Sequence, residues 1–242
     1  MTRAAFPRTN RYDGEWVCRN SLGENALAQA ETLSRFIPLG PQTRVLDLGC
    51  GKAISSIFLA REFGSEVWAV DRNVSPTENL ARIRDAGCAD RVFPLRGDAR
   101  ELPFASGFFH AAIAIDSYHY YGTDERFPAS LLRFVAEKGY VGIADIALAR
   151  EIPTIQDAPE FLKPTFADHW SFVHTIAWWK AQWERTGLVE TVAAEPVPGS
   201  RALLADYARD RLRSNRADEI ARAASLDSDE WLLLFCLVAR RL

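Results

Sequence analysis

The residues of this chain best suited to holding a small ligand sit together in one loop, Asp47-Leu48-Gly49-Cys50-Gly51-Lys52-Ala53. Glycines at positions 49 and 51 allow a tight turn and a close approach of backbone to ligand, at a point where a helix N-terminus would present free N–H groups. Such a loop suits a nucleotide-like molecule. The dinucleotide fingerprint GxGxxG would need glycine where Ile54 stands, and GxxxxGK[ST] does not occur, so neither phosphate-binding pattern fits. Asp71 follows Gly51 by 20 residues, the separation at which a carboxylate accepts hydrogen bonds from ribose hydroxyls. A further acid, Asp98, closes the next strand in Arg96-Gly97-Asp98-Ala99. Asp47, Asp71 and Asp98 therefore offer carboxylates at three successive strand ends, along the edge where open α/β sheets bind ligands.

The strands that carry these acids are read from apolar runs. Residues 43–48 (TRVLDL) and 66–70 (EVWAV) read as buried strands, and residues 91–95, 111–115 (AAIAI) and 140–146 (YVGIADI) as three more. Residues 53–62 place Ile54, Ile57, Phe58 and Leu59 on one helix face before Gly64. Ser75, Pro76 and Glu78 predict an N-cap, a first-turn proline and a capping-box acid for the next helix, whose Leu80, Ile83 and Ala86 recur at helical spacing. Phe127, Leu131, Phe134 and Val135 predict a helix closed by Gly139. Residues 188–194 read as a strand, 201–213 as a helix with Leu203, Leu204 and Tyr207 on one face, and 230–238 as a final strand. Alternation of strand and helix over the middle of the chain predicts a parallel sheet with right-handed crossovers.

With these elements in place, the chain resembles the class I methyltransferases that use S-adenosylmethionine. The likeness is to the small-molecule group that includes the methyltransferase type 11, ubiquinone-pathway and sarcosine-type enzymes. It covers about residues 40–150 and rests on VLDLGCGKA (45–53), VWAVDRN (67–73), GDARELPFASGFFHAAIAID (97–116) and SYHYYG (117–122). The resemblance implies an α/β fold with a Rossmann-like, doubly wound, seven-stranded sheet, mostly parallel with an antiparallel last strand. A single domain is expected over residues 1–242, with a helical cap in 1–40, a cofactor-binding core in 41–150, and a substrate-side insertion and C-terminal strands in 151–242. The implied cofactor is S-adenosylmethionine: Asp47, Gly49 and Gly51 would meet its methionine portion and Asp71 its ribose diol. Arg72 would lie beside the adenine, Asp98 would bind the adenine amino group, the backbone of Ala99 would read the ring, and Asp116 would lie near the methionine amine. Two positions depart from the family pattern: Ala53 stands where a third glycine is usual, and His110 follows Phe109 where an aspartate is usual.

Methyl transfer is an in-line displacement at a sulfonium, and holding the nucleophile close and aligned can be worth ~7–11 kcal/mol. Aromatic faces beside a cation add ~0.5–2 kcal/mol, which suits Tyr118, Tyr120 and Tyr121 just past Asp116. His119 is the expected base, its unperturbed pKa of ~6.5 matching proton transfer near neutrality. The expected acceptor is an amine or hydroxyl of a compact polar metabolite, amine ahead, with O-methylation of a natural-product intermediate as the alternative. Tyr118, His119 and Tyr120 are the expected catalytic residues, and His169, Trp170 and His174 the expected substrate-binding ones. Trp179 and Trp183, at i and i+4 on one helix face, are expected in the core.

Composition narrows the classes further. With 48% hydrophobic and 25% charged residues among 242, the chain is an ordinary globular domain. Four scattered cysteines and four scattered histidines suggest neither disulfides nor a metal site. A net charge of -3 without a Lys/Arg block, and Asp116-Ser117-Tyr118-His119 in place of [DN]-P-P-[YF], argue against nucleic acid as substrate. The longest apolar run, residues 231–239, falls short of the ~18 residues of a membrane span, and the N-terminal residues lack the apolar core of a signal peptide, so a cytoplasmic location is expected. Residues 1–40 would either cap the cofactor through Tyr12, Trp16 or Asn20 or make a homodimer contact. Two other classes stay open: an NAD-type oxidoreductase, which would leave Asp98 without a role, and a non-catalytic cofactor-binding protein.

Overall fold

The computed structural model describes residues 4–166 and 173–242. Its strands are β1 (Arg44–Leu48), β2 (Glu66–Asp71), β3 (Val92–Arg96), β4 (Phe109–Ile115), β5 (Val135–Leu148), β6 (Val189–Pro196) and β7 (Leu232–Arg241). They form one sheet in the order β3-β2-β1-β4-β5-β7-β6. The pairs within β3 to β5 are parallel, and β7 runs antiparallel to both β5 and β6. The expected doubly wound sheet with an antiparallel last strand is the observed one.

The helices are α1 (Gly14–Asn20), α2 (Ala26–Leu33), α3 (Ile54–Phe63), α4 (Pro76–Asp85), α5 (Phe127–Leu132), α6 (Lys163–Phe166), α7 (Ile176–Glu184), α8 (Ser200–Arg213) and α9 (Glu219–Leu226). Successive strand residues face opposite sides of the sheet, so β1 feeds two cores. Val45 packs in a cluster with Leu27 and Leu33 of α2 and Ile57 and Phe58 of α3. Leu46 and Leu48 join Phe109, Phe127, Trp179 and Trp183 on the other side. The two tryptophans are fully buried, as their helical spacing predicts. A third cluster gathers Phe6, Ile146, Leu162, Leu203 and Leu234, closing the sheet with the late helices. Among the described residues, no helix is long and apolar enough to cross a membrane.

Three local expectations are corrected. Helix α5 ends at Leu132, and Phe134 and Val135 belong to the approach and start of a strand of 14 residues. Gly139 is not a helix stop: it lies inside β5, where the pairing with β4 slips between Phe109 and Ala111. A Cβ there would sit 2.7 Å from Val135 Cγ1 and 2.8 Å from the carbonyl oxygens of Ala136 and His110, so close backbone approach explains the glycine. Ser75 is the N-cap of α4 and Pro76 its first residue, but the serine side chain makes no capping bond. Helix α9 was not expected; Asp218 caps it by accepting from Ala221 N at 2.8 Å. Overpacking the bulge should destabilise by about 1–3 kcal/mol, so Gly139→Ala is expected to lower the denaturation midpoint in urea with an unchanged slope.

Candidate active site

The first βα loop is held from three directions. Gly49 and Cys50 donate to Val70 O at 2.8 and 3.0 Å, tying the loop to the end of β2. Gly51 N donates to Asp71 Oδ2 at 2.8 Å, and Gly51 O accepts from Asn79 of α4 at 2.9 Å. Gly49 has φ +73° and Gly51 φ +53°, in the left-handed region that side chains disfavour; a Cβ on Gly49 would strike Ser117 Cβ at 2.5 Å. Ala53, where the third glycine is usual, adopts φ +60° and is fully buried, so an alanine here takes the conformation a glycine would take at lower cost.

Asp47 does not reach the cavity. It is fully buried, and Oδ2 accepts from Ser55 and Ser56 hydroxyls, both at 2.6 Å, which fastens the first turn of α3 beneath the loop. Burial raises its pKa to about 6, against the pull of the two serines. His110, the second departure from the family pattern, accepts Arg44 N at 3.0 Å, an acceptor's role that an aspartate could equally fill. Burial and then the Arg44 charge lower its pKa, which keeps the ring a neutral acceptor.

A cavity of about 960 Å³ opens along the carboxyl ends of β1, β2 and β4. In one half stand Gly49, Gly51, Asp71, Arg72, Asp98 and Ala99, brought together around one cavity. Asp71 Oδ1 accepts from Asn73 and Val74 N at 2.8 Å each, so with Gly51 three N–H groups fix the carboxylate and leave one acceptor position on Oδ2. Asp98 Oδ1 accepts from Arg100 N at 3.0 Å, and its carboxylate lies 3.5 Å from Arg72 Nη1 across the cleft edge.

The other half is rich in carboxyl groups. His119, in a 3₁₀ turn spanning Tyr118–Tyr120, lines the wall with Tyr120. Its Nδ1 lies 2.9 Å from both carboxylate oxygens of Asp145, which also accepts His119 N at 3.2 Å and Ile146 N at 2.8 Å. That leaves Nε2 as the nitrogen available to a ligand. Burial lowers the imidazole pKa, but the charge and hydrogen bond of Asp145, with Glu24 behind them, outweigh it and hold the ring above its ordinary value. Asp116 stands between the halves with φ +49°; Oδ1 accepts from Gln29 Nε2 at 2.5 Å, while the buried Oδ2 has no N–H donor and faces the Glu24 carboxyl. Glu24 from the segment before α2, and Tyr207 and Asp218 from α8 and the start of α9, complete this wall.

Besides Asp47, four expected residues are placed elsewhere or lie out of view. Tyr118 is fully buried, its ring 5.5 Å from Trp179 and 6.0 Å from Trp183, and it supports the turn from behind instead of lining the cavity. His174 stacks on Trp178 at 3.6 Å near Glu151 and is not a cavity residue. His169 and Trp170 lie outside the described residues. Of the proposed capping residues, Asn20 lines the cavity, whereas Tyr12 and Trp16 pack against the core. Asp145, Glu24 and Asp218 were missed; only Asp145 left a signal, as one acid inside the apolar run YVGIADI.

Comparison with known proteins places this geometry. Residues 45–139 match the family model described as a methyltransferase domain. The methyltransferase GfsG of Streptomyces halstedii is 28% identical over 162 residues, 65% of this chain and 58% of that protein. A glycine/sarcosine/dimethylglycine N-methyltransferase of Actinopolyspora halophila is 29% identical over 126 residues, half of this chain and 22% of that protein. The chain thus spans well under two thirds of the length of either relative. A crystal structure of geranyl diphosphate C-methyltransferase from Streptomyces coelicolor A3(2) superposes with a TM-score of 0.71 at 19% identity, covering 89% of this chain and 77% of that one. Residues 45–139 thus carry a methyltransferase-domain match, within a fold that the chain shares with this methyltransferase structure. The two left-handed glycines bring backbone against the cavity lining, where a Cβ would come within 2.5 Å of Ser117 and 3.1 Å of Leu22.

The buried acids make stability pH-dependent. Asp47 is raised to about 6 and Glu24 to about 7, burial being the main cause in each. A carboxyl with a higher pKa folded than unfolded binds more protons in the native state between the two values, so stability falls as pH rises through that window. His119, also raised, adds stability at low pH that is lost as pH rises through its folded value. All three act in one direction, Asp47 alone by on the order of 3 kcal/mol. The ligand-free protein should therefore melt at a higher temperature near pH 6 than near pH 8, and Glu24→Gln should flatten that dependence, whereas Asp47→Asn should act below about pH 6, where the Asp47 window closes.

Proposed function

We propose that this chain is an S-adenosylmethionine-dependent methyltransferase acting on an N–H or O–H nucleophile of a small molecule, with an amine ahead of a hydroxyl. One observation carries the reading: the His119 imidazole at the cavity wall, with Nδ1 fixed by the buried Asp145. When bound, the cofactor supplies a methyl carbon made electrophilic by its sulfonium. Asp71 would accept from a ribose hydroxyl, Asp98 and the Ala99 backbone would face the adenine with Arg72 beside it, and the Gly49–Gly51 loop would border the methionine portion. Asp116, between the halves, is close to both sites. His119 would take the acceptor's proton on Nε2, while Asp145 holds the tautomer and stabilises the imidazolium that results. The carboxyl-rich wall favours an amine, because a nitrogen that gains a methyl group gains positive charge beside those acids. The rim Tyr120 supplies an aromatic face for the same charge.

Two measurements check this reading. Asp71→Ala should weaken S-adenosylhomocysteine binding by about 1.5–3 kcal/mol in a calorimetric titration; an unchanged dissociation constant would contradict the ribose placement. In an acceptor panel, kcat/KM should rise with pH as His119 loses its proton, with a midpoint above ~6.5. Asp145→Asn should move that limb to lower pH, because burial then acts without the compensating charge. His119→Ala should cost ~10²–10⁴-fold with a hydroxyl acceptor and less with an amine that is already neutral. Identical pH profiles in the wild type and both variants would remove the dyad from the mechanism.

A further inference from the structure

The four carboxyl groups of the acceptor half differ in what holds them. Asp145 is taken by His119 and two backbone N–H groups. Asp218 accepts from Tyr207 and Ala221 N and lies 3.8 Å from Arg211 Nε. Glu24 and Asp116 remain. They adjoin one another, and no ion pair among the described residues joins either to a lysine or arginine. Glu24 is only 4% exposed, yet it lines the cavity; Asp116 lines it too, and its buried Oδ2 has no N–H donor and faces the Glu24 carboxyl.

Two adjacent carboxyls shielded from water and without a cation rest with a proton between them, because desolvation and like charge act against ionisation together. The chain nevertheless builds the pair deliberately. Gln29 Nε2 donates both to Asp116 Oδ1 and to Glu24 O, at 2.5 Å each, clamping the two acids to α2. Gly23 provides the clearance: a Cβ there would lie 2.5 Å from Asp116 Oδ2. Arg211 of α8 holds the preceding turn by donating to Leu22 O at 2.6 Å. Among the described residues, no group of three or more His, Cys, Asp or Glu side chains is arranged to hold a metal ion.

We propose that Glu24, with Asp116 beside it, is the recognition group for a positive charge carried by the methyl acceptor, so that the substrate is a compact ammonium compound delivered to His119. This deepens the reading of the cavity as an acceptor site and rests on it, but it does not require that the charged nitrogen be the atom methylated. The N-terminal segment is then part of substrate selection, through a residue that lies outside the matched methyltransferase core.

The test uses the full chain saturated with S-adenosylhomocysteine, titrated calorimetrically with ethylammonium, with neutral 1-propanol and with acetate. The wild type should bind ethylammonium saturably and neither control. Glu24→Gln, nearly isosteric, should weaken ethylammonium by about tenfold or more, and Glu24→Asp by less, while affinity for S-adenosylhomocysteine stays within about threefold in both. Equal ethylammonium binding by wild type and Glu24→Gln would overturn the proposal, as would silence from ethylammonium in the wild type. A loss of S-adenosylhomocysteine affinity in Glu24→Gln with ethylammonium unaffected would also overturn it, assigning the acid to the cofactor's own ammonium group. Failure of the His119–Asp145 reading is separate: it shows in the pH profile of turnover, which these binding measurements do not touch.

Discussion

Two amide groups, those of Gly49 and Cys50, donate to one carbonyl, that of Val70, and this shared acceptor fixes where the chain leaves β1. The loop is thereby drawn over the end of β2, so that Gly51 N meets Asp71 and the carboxylate comes to face the cleft. Asp47 secures the arrangement from below through the two serines that open α3. The parallel pairing of β1 with β2 and β4 then sets the spacing of the remaining acids, because each strand ends at the same edge. Loss of that one pinning point would displace the cofactor side as a unit.

The half of the cavity lined by Gly49, Gly51, Asp71 and Asp98 was legible in the sequence because its logic is local. Each acid follows an apolar run at a fixed distance, and glycines mark the turn between strand and helix. Asp47 is an instructive exception: its position in the loop was read correctly, but whether its side chain points at a ligand or into the interior depends on Ser55 and Ser56, eight and nine residues on. The misplaced end of α5 has a similar origin. A glycine after an apolar stretch reads as a helix stop, whereas here it is required by contact with His110 on a neighbouring strand.

The acceptor half was mostly illegible for the opposite reason. His119 meets Asp145 across 26 residues, and Glu24 faces groups from β4, β5 and the start of α9. No periodicity connects such partners; only the closed fold does. An acid buried in a β-strand is nonetheless a usable signal, since an unpaired carboxylate in a core is costly enough that a partner must exist. Tyr118 shows the converse, a residue whose neighbourhood in sequence suggested chemistry and whose surroundings, two tryptophans and a phenylalanine, make it a prop.

The strand order also bears on how the molecule is made. β7 follows every other strand in the chain, yet it is inserted between β5 and β6. While ribosomes are still adding residues 232–241, a 14-residue strand, β5, has its outer row of amide and carbonyl groups uncovered, the kind of edge on which chains stick to one another. Products of premature termination that stop before residue 232 would keep the whole loop from Asp47 to Ala53 and still be exposed to aggregation.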